Sequence, residues 1–238
     1  MNSDTLALFW LAFQQCLDAL PITVMLVVVS VSIGFFLALP LAIASLKTNT
    51  FTGKLTNGFV FFFTGTPLLV QLYIFYYGIP SLEFVSHLMQ EPGWEFLKSG
   101  YIWVLTALTL NTAAYSTVIF AGAIKNTDRG EVEAAMAYGM SRAQAMRRII
   151  LPSSLRRALP AYSNEVIMTM HATALASTVT ILEITGAASY FNSTYYEPFI
   201  AYSAAALLYL ILNTVLVVAF RQVEKKYLVH LKYRHGAA

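Results

Sequence analysis

Five long apolar segments leave this chain little choice of fold. They lie near residues 20–46, 57–79, 101–124, 160–182 and 199–220, and four of the five contain no Asp, Glu, Lys or Arg. Each is long enough to cross about 30 Å of hydrocarbon as a helix. Inside a bilayer every backbone donor and acceptor must be satisfied within the protein, and a helix does this within one segment. The expected fold class is therefore all-α, a polytopic membrane protein with five transmembrane helices, read as one domain over residues 1–238. Composition agrees: 58% of residues are hydrophobic, 11% are charged and mean hydropathy is +0.63, outside the range of soluble domains.

Charge sets the orientation. Fourteen of the fifteen lysines and arginines fall in the loop after the first span, the loop after the third span and the C-terminal tail, with Lys98 the exception. The positive-inside rule assigns those regions to the cytoplasm. The N-terminus, with Asp4 and Asp18, and the segment holding Glu183 and Glu197 carry only acids and are expected outside. The net charge of +3 thus reflects topology rather than nucleic-acid binding. No basic n-region precedes the first span, so it is expected to be retained. The single cysteine, Cys16, has no internal disulfide partner, and no cysteine–histidine cluster suggests a metal. Gly53-Lys54 is followed by Leu55 and fails the P-loop pattern, so the chain is expected to bind no ATP or other cofactor itself.

The long basic loop, residues 125–158, carries a spaced signature: Glu133-Ala134-Ala135, three residues, Gly139, nine residues, Ile149, one residue, Leu151-Pro152. Asp128 and Glu131 are spaced as an N-cap and an N3 acid, so a helix is expected to begin near Arg129. Gly139 suits a C′ stop because it takes positive φ without a Cβ penalty. Ser141 and Gln144 repeat the capping-box spacing, and Pro152 is expected to end the second helix. The product is two short helices joined by a tight turn. The paired alanines would let a partner approach closely, and Met146, Ile149 and Ile150 would supply an apolar anchor. The alternative is an amphipathic hairpin lying on the membrane surface.

Polar residues within the spans are costly in hydrocarbon and should face a cavity or another helix. Thr64-Gly65-Thr66-Pro67 interrupts the second span, since Pro67 removes a donor and crowds the preceding turn. Broken helices of this kind line transporter cavities or serve as packing kinks. Gln71 lies one turn further on. In the third span Asn111 and Tyr115, and likewise Thr112 and Ser116, stand one turn apart and form a polar stripe with Thr117. Glu165 is the sharpest single residue. Thr169 and Ala172 lie within about 40° of it on the helical wheel, a face suited to an elongated solute with a cationic end, whereas His171 falls about 120° away. His171 is expected to be packed and neutral. The alternative for Glu165 is a pairing with a group on a partner subunit.

The loop signature resembles the cytoplasmic loop of ABC-importer permease subunits. The stretches FTGTPLLVQ (63–71), LTLNTAAYSTVIFAGAI (108–124), ILPSSLRRALPAYSNEV (150–166) and HATALA (171–176) are similar to the polar-amino-acid branch of that family, as found in histidine and arginine importers. The likeness runs over about residues 20–228. It implies a type I importer fold in a prokaryotic inner membrane. It also implies two permease subunits, here with a paralogous partner, two ATP-binding cassette subunits that hold ATP and Mg, and an external amino-acid-binding protein. Glu133, Ala134, Ala135, Gly139, Ile149, Leu151 and Pro152 would form the ATPase-docking element. Gly65, Thr66, Asn111, Asn164 and Glu165 match positions of a solute site near mid-membrane. Many relatives carry an acid where this chain has Ala172, which implies a weaker site here than in the paralogue, or none. Residues 80–100, with Trp94, and the cluster Tyr190, Phe191, Tyr195 and Tyr196 would meet the binding protein or anchor at the interface. Two other readings remain at this level: an ion-coupled secondary transporter with Glu165 as carrier, and an intramembrane enzyme, for which no serine–histidine or paired-aspartate set sits at matching depth. Arginine, histidine, lysine and ornithine are not ranked by sequence, and glutamine is an alternative solute.

Overall fold

The computed structural model describes residues 3–228, and among them there is no strand. Lys232 and Arg234 of the basic tail lie outside the described residues. Helix α1 runs from Ser3 to Ser45 without a break despite Pro21 and Pro40. It therefore begins well before the expected start of the first span. Small residues explain how it packs: Ala12, Cys16 and Ala19 on one stripe and Ala38 and Ala42 further along are all buried. Side chains of this size let helix backbones approach closely. Its first half packs on α9 (Ile184–Tyr195) and α10 (Pro198–Tyr227), and its second half joins a core with Phe120, Ile124, Ala145 and Ile150.

A tight turn leads from α1 into α2 (Phe51–Gly65), where Thr50 caps the helix by accepting from the Gly53 amide at 3.1 Å. Gly53 has no room for a side chain, because a Cβ there would sit 2.0 Å from the Lys47 carbonyl oxygen. Gly53→Ala is expected to destabilise the fold by about 1–3 kcal/mol through overpacking against backbone. The yield of monodisperse permease extracted from membranes reads this, and a wild-type yield would show that the turn yields freely.

The second expected span is broken where Thr66-Pro67 interrupts it. Beyond the break run α3 (Leu68–Tyr73), a π turn (Ile74–Gly78) and a 3-10 turn (Ile79–Ser81), set at 105° to α2. A short α4 (Glu83–Leu88) and a 3-10 turn (Glu95–Lys98) lead to α5 (Gly100–Lys125), which crosses the whole molecule beside α1. The loop region holds α6 (Arg129–Ala137) and α7 (Arg142–Ala145), which passes through a π turn (Met146–Ile150) into α8 (Leu151–Ala172). A 3-10 segment (Thr173–Val179) completes that arm, and α9 follows at 42°. Three helices among the described residues are long and apolar enough to cross a membrane alone, or up to five segments if each bent pair is one span.

Two expectations are corrected here. Pro152 does not end a helix. The Leu151 amide bonds back to the Met146 carbonyl, five residues earlier. This widened turn makes room for the proline ring that a regular turn would crowd, so α7 and α8 form one arm. Phe191, grouped by sequence with exposed aromatics, is fully buried beneath α1 and α10, whereas Tyr190, Tyr195, Tyr196 and Trp94 are exposed.

Candidate functional site

A cavity of about 290 Å³ opens between α3, α5 and α8, with Asn111, Tyr115, Glu165, Thr169 and Ala172 on its wall. The helical-wheel face of Glu165, Thr169 and Ala172 and the Asn111–Tyr115 ridge therefore meet across one space. Thr112 donates to Glu165 Oε1 at 3.0 Å, and the Thr169 hydroxyl lies 3.4 Å from the same oxygen and 3.2 Å from Thr112 Oγ1. No cation among the described residues joins this carboxylate: their one ion pair is Arg157 with Glu131, elsewhere. Thr169 also lies 3.0 Å from the Glu165 backbone carbonyl, so Thr112 is the hydroxyl that holds the carboxylate, and a partly buried carboxylate held in this way is chemically suited to an ammonium or guanidinium group.

The break in the second span supports this cavity rather than lining it. Gln71 is buried, and its Nε2 lies 2.9 Å from the Phe63 carbonyl, 3.0 Å from the Thr66 carbonyl and 2.8 Å from Thr66 Oγ1. The two carbonyls are ones that Pro67 leaves without a following turn of amides. The Asn111 amide closes the set by donating to Gln71 Oε1 at 3.0 Å. Gln71 is thus a structural tie that the sequence left undecided between path and packing, and Asn111 serves both the tie and the cavity wall. Thr66 belongs to this network and does not line the cavity. Gly65 is exposed with nothing near it, and Asn164 is exposed on α8 one turn before Met168 of the cavity wall without lining the cavity itself. His171, expected to be packed, is exposed, because its direction on the helix leads off the buried side that Val166 and Met170 occupy.

Glu183 was missed by sequence reasoning, which grouped it with the acids of an outer segment. It is fully buried as the N-cap of α9, accepting from the Gly186 amide at 2.9 Å and from the Tyr209 hydroxyl at 2.6 Å. The sequence carried little signal for this, because Glu is not among the preferred N-cap residues and its second partner, Tyr209, lies 26 residues away.

The loop folds nearly as its residues dictate. Asp128 caps α6 at the Gly130 amide, 2.9 Å away. The helix ends in a Schellman turn, with Met140 N bonded to Ala135 O, Gly139 N to Met136 O, and Gly139 at φ +77°. Both halves of the Ser141–Gln144 capping box are formed. The signature residues divide between two faces. Glu133, Ala134 and Gly139 are exposed, as is Tyr138, whose side chain is 86% exposed. Ala135 is buried, and Ile149, Leu151 and Pro152 are half-buried. Met146, Ile149 and Ile150, expected to anchor a partner, pack instead onto the chain's own core with Ala38, Phe120 and Ala158. The reason is amphipathicity: the apolar side of the arm has a core within reach, so burial there wins.

The sequence profile described as "Binding-protein-dependent transport system inner membrane component" matches residues 30–229. The histidine/lysine/arginine/ornithine transport system permease protein HisM of Escherichia coli K12 is 49% identical over 215 residues, covering 89% of this chain and 88% of that protein. The octopine transport system permease protein OccM of Rhizobium radiobacter is 40% identical over 218 residues, covering 92% and 88%. A solved structure described as an amino acid ABC transporter with histidines superposes with a TM-score of 0.80 at 26% identity, covering 95% of this chain and 100% of that one. The inward-facing MetNI methionine ABC transporter shares the fold, with a TM-score of 0.68 at 16% identity and coverage of 95% and 99%. With a profile match over most of its length and relatives that align nearly end to end, the chain belongs to the family of binding-protein-dependent transport system inner membrane components.

Proposed function

We propose that this chain is the permease subunit of an ATP-driven importer of basic amino acids, taking arginine, histidine, lysine or ornithine from an external binding protein. The observation that carries the substrate class is Glu165, a carboxylate held by Thr112 on a cavity wall and joined by no cation among the described residues. The relatives' names, for histidine, lysine, arginine and ornithine and for octopine, point the same way. The solute's cationic end meets Glu165, and Asn111 and the Tyr115 ring flank it. Thr66, Gly65 and Asn164 border the solute's path beside that contact.

In this reading residues 1–238 form one permease domain of five spans, with the N-terminus outside and the C-terminus cytoplasmic. The broken pairs at residues 66–67 and 180–183 count as single spans. A paralogous permease supplies the other half of the translocation path, which suits a wall with one carboxylate and an alanine at position 172. Two cassette ATPases bind and hydrolyse ATP with Mg, so this chain is a transport subunit and not an enzyme. They dock on the exposed side of α6 and α7 at Glu133, Ala134, Tyr138 and Gly139, while Ala135, Ile149, Leu151 and Pro152 seat that element on the permease. ATP-driven closure of the ATPases then opens the cavity alternately to the two sides of the inner membrane. An ion-coupled carrier would leave this preformed outer face without a role.

The test is uptake of labelled arginine by the reconstituted complex, with excess lysine, histidine or glutamine as competitors. Competition by lysine and histidine, and uptake that stops without ATP, is the expected result. Competition by glutamine alone would replace the substrate class and keep the importer.

A further inference from the structure

One polar cluster lies outside both the cavity and the docking face. Arg157, on α8, reaches with Nη1 to Glu131 Oε1 of α6 at 3.5 Å and to Ser153 Oγ at 2.6 Å, and Ser153 in turn donates to Glu131 Oε2 at 3.1 Å. Its Nη2 lies 3.0 Å from Thr127 Oγ1, just past the end of α5, and 3.3 Å from Ser154 Oγ. Thr127 and Ser154 are themselves 3.1 Å apart. One guanidinium therefore joins the end of α5, the docking helix α6 and the base of α8. Glu131, spaced by sequence as a capping acid for its own helix, has its carboxylate engaged here instead.

We propose that Arg157 and Glu131 are a coupling strut, a pair of positioning residues that makes the docking helix and the two cavity helices move together. This rests on the permease reading above. Two features carry it. First, the covalent route from Glu131 to Arg157 passes two joints, the Gly139 turn and the π turn at Met146–Ile150. Val132, Ala135 and Ile150 hold α6 down by apolar contact, which is non-directional and lets packed helices slide. The planar fork of Arg157 fixes direction and register across both joints.

Second, the strut ends on the elements that bear the site. Glu165 lies eight residues along α8 from Arg157, about 12 Å at helical rise. Thr127 follows α5, which carries Asn111 and Thr112. Stability alone accounts poorly for the cluster. The pair is only about a quarter exposed, with side chains 23% and 27% accessible, and desolvation offsets much of the attraction in an ion pair buried to that extent. The buried Arg157 Nε also has no acceptor.

The experiment uses the complete complex with its ATPases and binding protein. It compares wild type with Arg157→Gln, Arg157→Lys and the reversed pair Glu131→Arg/Arg157→Glu. Three quantities are read: ATPase co-purification, ATP hydrolysis with and without arginine-loaded binding protein, and labelled arginine uptake. Arg157→Gln is expected to keep its ATPases, because the docking face is untouched. Uptake should fall about tenfold, a typical coupling factor, and hydrolysis should no longer respond to the loaded binding protein. The reversed pair should regain the response, since the three surrounding hydroxyls accept as readily as they donate. Should Arg157→Gln fail to accumulate, Arg157→Lys keeps the charge but loses the fork, and it must show the same lost response at normal levels.

Wild-type response and uptake in Arg157→Gln would overturn the strut. So would loss of ATPase binding, or a reversed pair no better than the single variant. If the wild-type complex itself shows no ATP-driven uptake, the permease reading fails and the strut with it.

Discussion

Glu165→Gln is expected to remove most arginine uptake while leaving assembly intact. The substitution keeps the shape of the side chain and an oxygen at Oε1, so the Thr112 hydroxyl retains its acceptor. What disappears is the negative charge offered to the solute. A hydrogen bond to a charged group is worth about 1.5–3 kcal/mol, which converts to roughly a tenfold to hundredfold loss in uptake efficiency. Initial-rate uptake by reconstituted complexes, normalised to co-purified ATPase, reads this directly. Unchanged arginine uptake in the variant would make Glu165 structural and move the solute contact to the partner permease. The variant also separates charge from polarity, because any residual transport of a neutral solute such as glutamine should be spared relative to arginine.

Gln71→Leu is expected to be the most damaging single change around the helix break. Leucine fills similar space but offers nothing to the Thr66 carbonyl and Thr66 Oγ1, and it takes from Asn111 the oxygen to which its amide donates. Each buried polar group left unpaired costs about 1–3 kcal/mol. The Phe63 carbonyl is partly spared, because Asn111 Nδ2 also reaches it at 3.3 Å. Thr66 Oγ1 still donates to the Phe62 carbonyl at 2.8 Å, so the Thr66 carbonyl is the group left stranded, and the loss is about 1–3 kcal/mol, or about 2–12 °C in the apparent unfolding temperature for a chain of this size. Thermal unfolding of the detergent-solubilised protein measures it. Uptake should fall as well, since Asn111 is on the cavity wall. A wild-type unfolding temperature would show that solvent or lipid headgroups, not Gln71, satisfy the broken end of α2.

Both effects trace back to residues that stand out in the chain, but their roles were legible to different degrees. Glu165, Thr169 and Ala172 fall on one side of a regular helix, so periodicity places them together. The same holds for Asn111 and Tyr115. Local chemistry likewise dictates the Asp128 cap, the Gly139 turn and the Ser141–Gln144 box, because each depends only on neighbours in sequence. Pro152 shows where local rules stop: a proline ends a regular helix, yet a π turn lets the arm continue through it.

Gln71 and Glu183 mark the other limit. Gln71 acts on a carbonyl eight residues behind it and on Asn111, forty residues ahead. Glu183 depends on Tyr209 of α10 to be satisfied. No spacing rule connects such residues, because the chain must first bend and pack before they meet. His171 and the apolar residues Met146, Ile149 and Ile150 changed sides for the same reason: which face of a helix is buried depends on what stands next to it.

The amino-acid sequence by itself determined the all-helical membrane character, the helix caps of the basic loop and the polar face of α8, since hydropathy, capping and helical periodicity are properties of adjacent residues. The tertiary structure alone decided that the second span turns through 105° at its break, that Glu165 shares a cavity with Asn111, and that Glu131 is tied to Arg157. Those are contacts between helices, and their geometry is set by packing across the whole bundle.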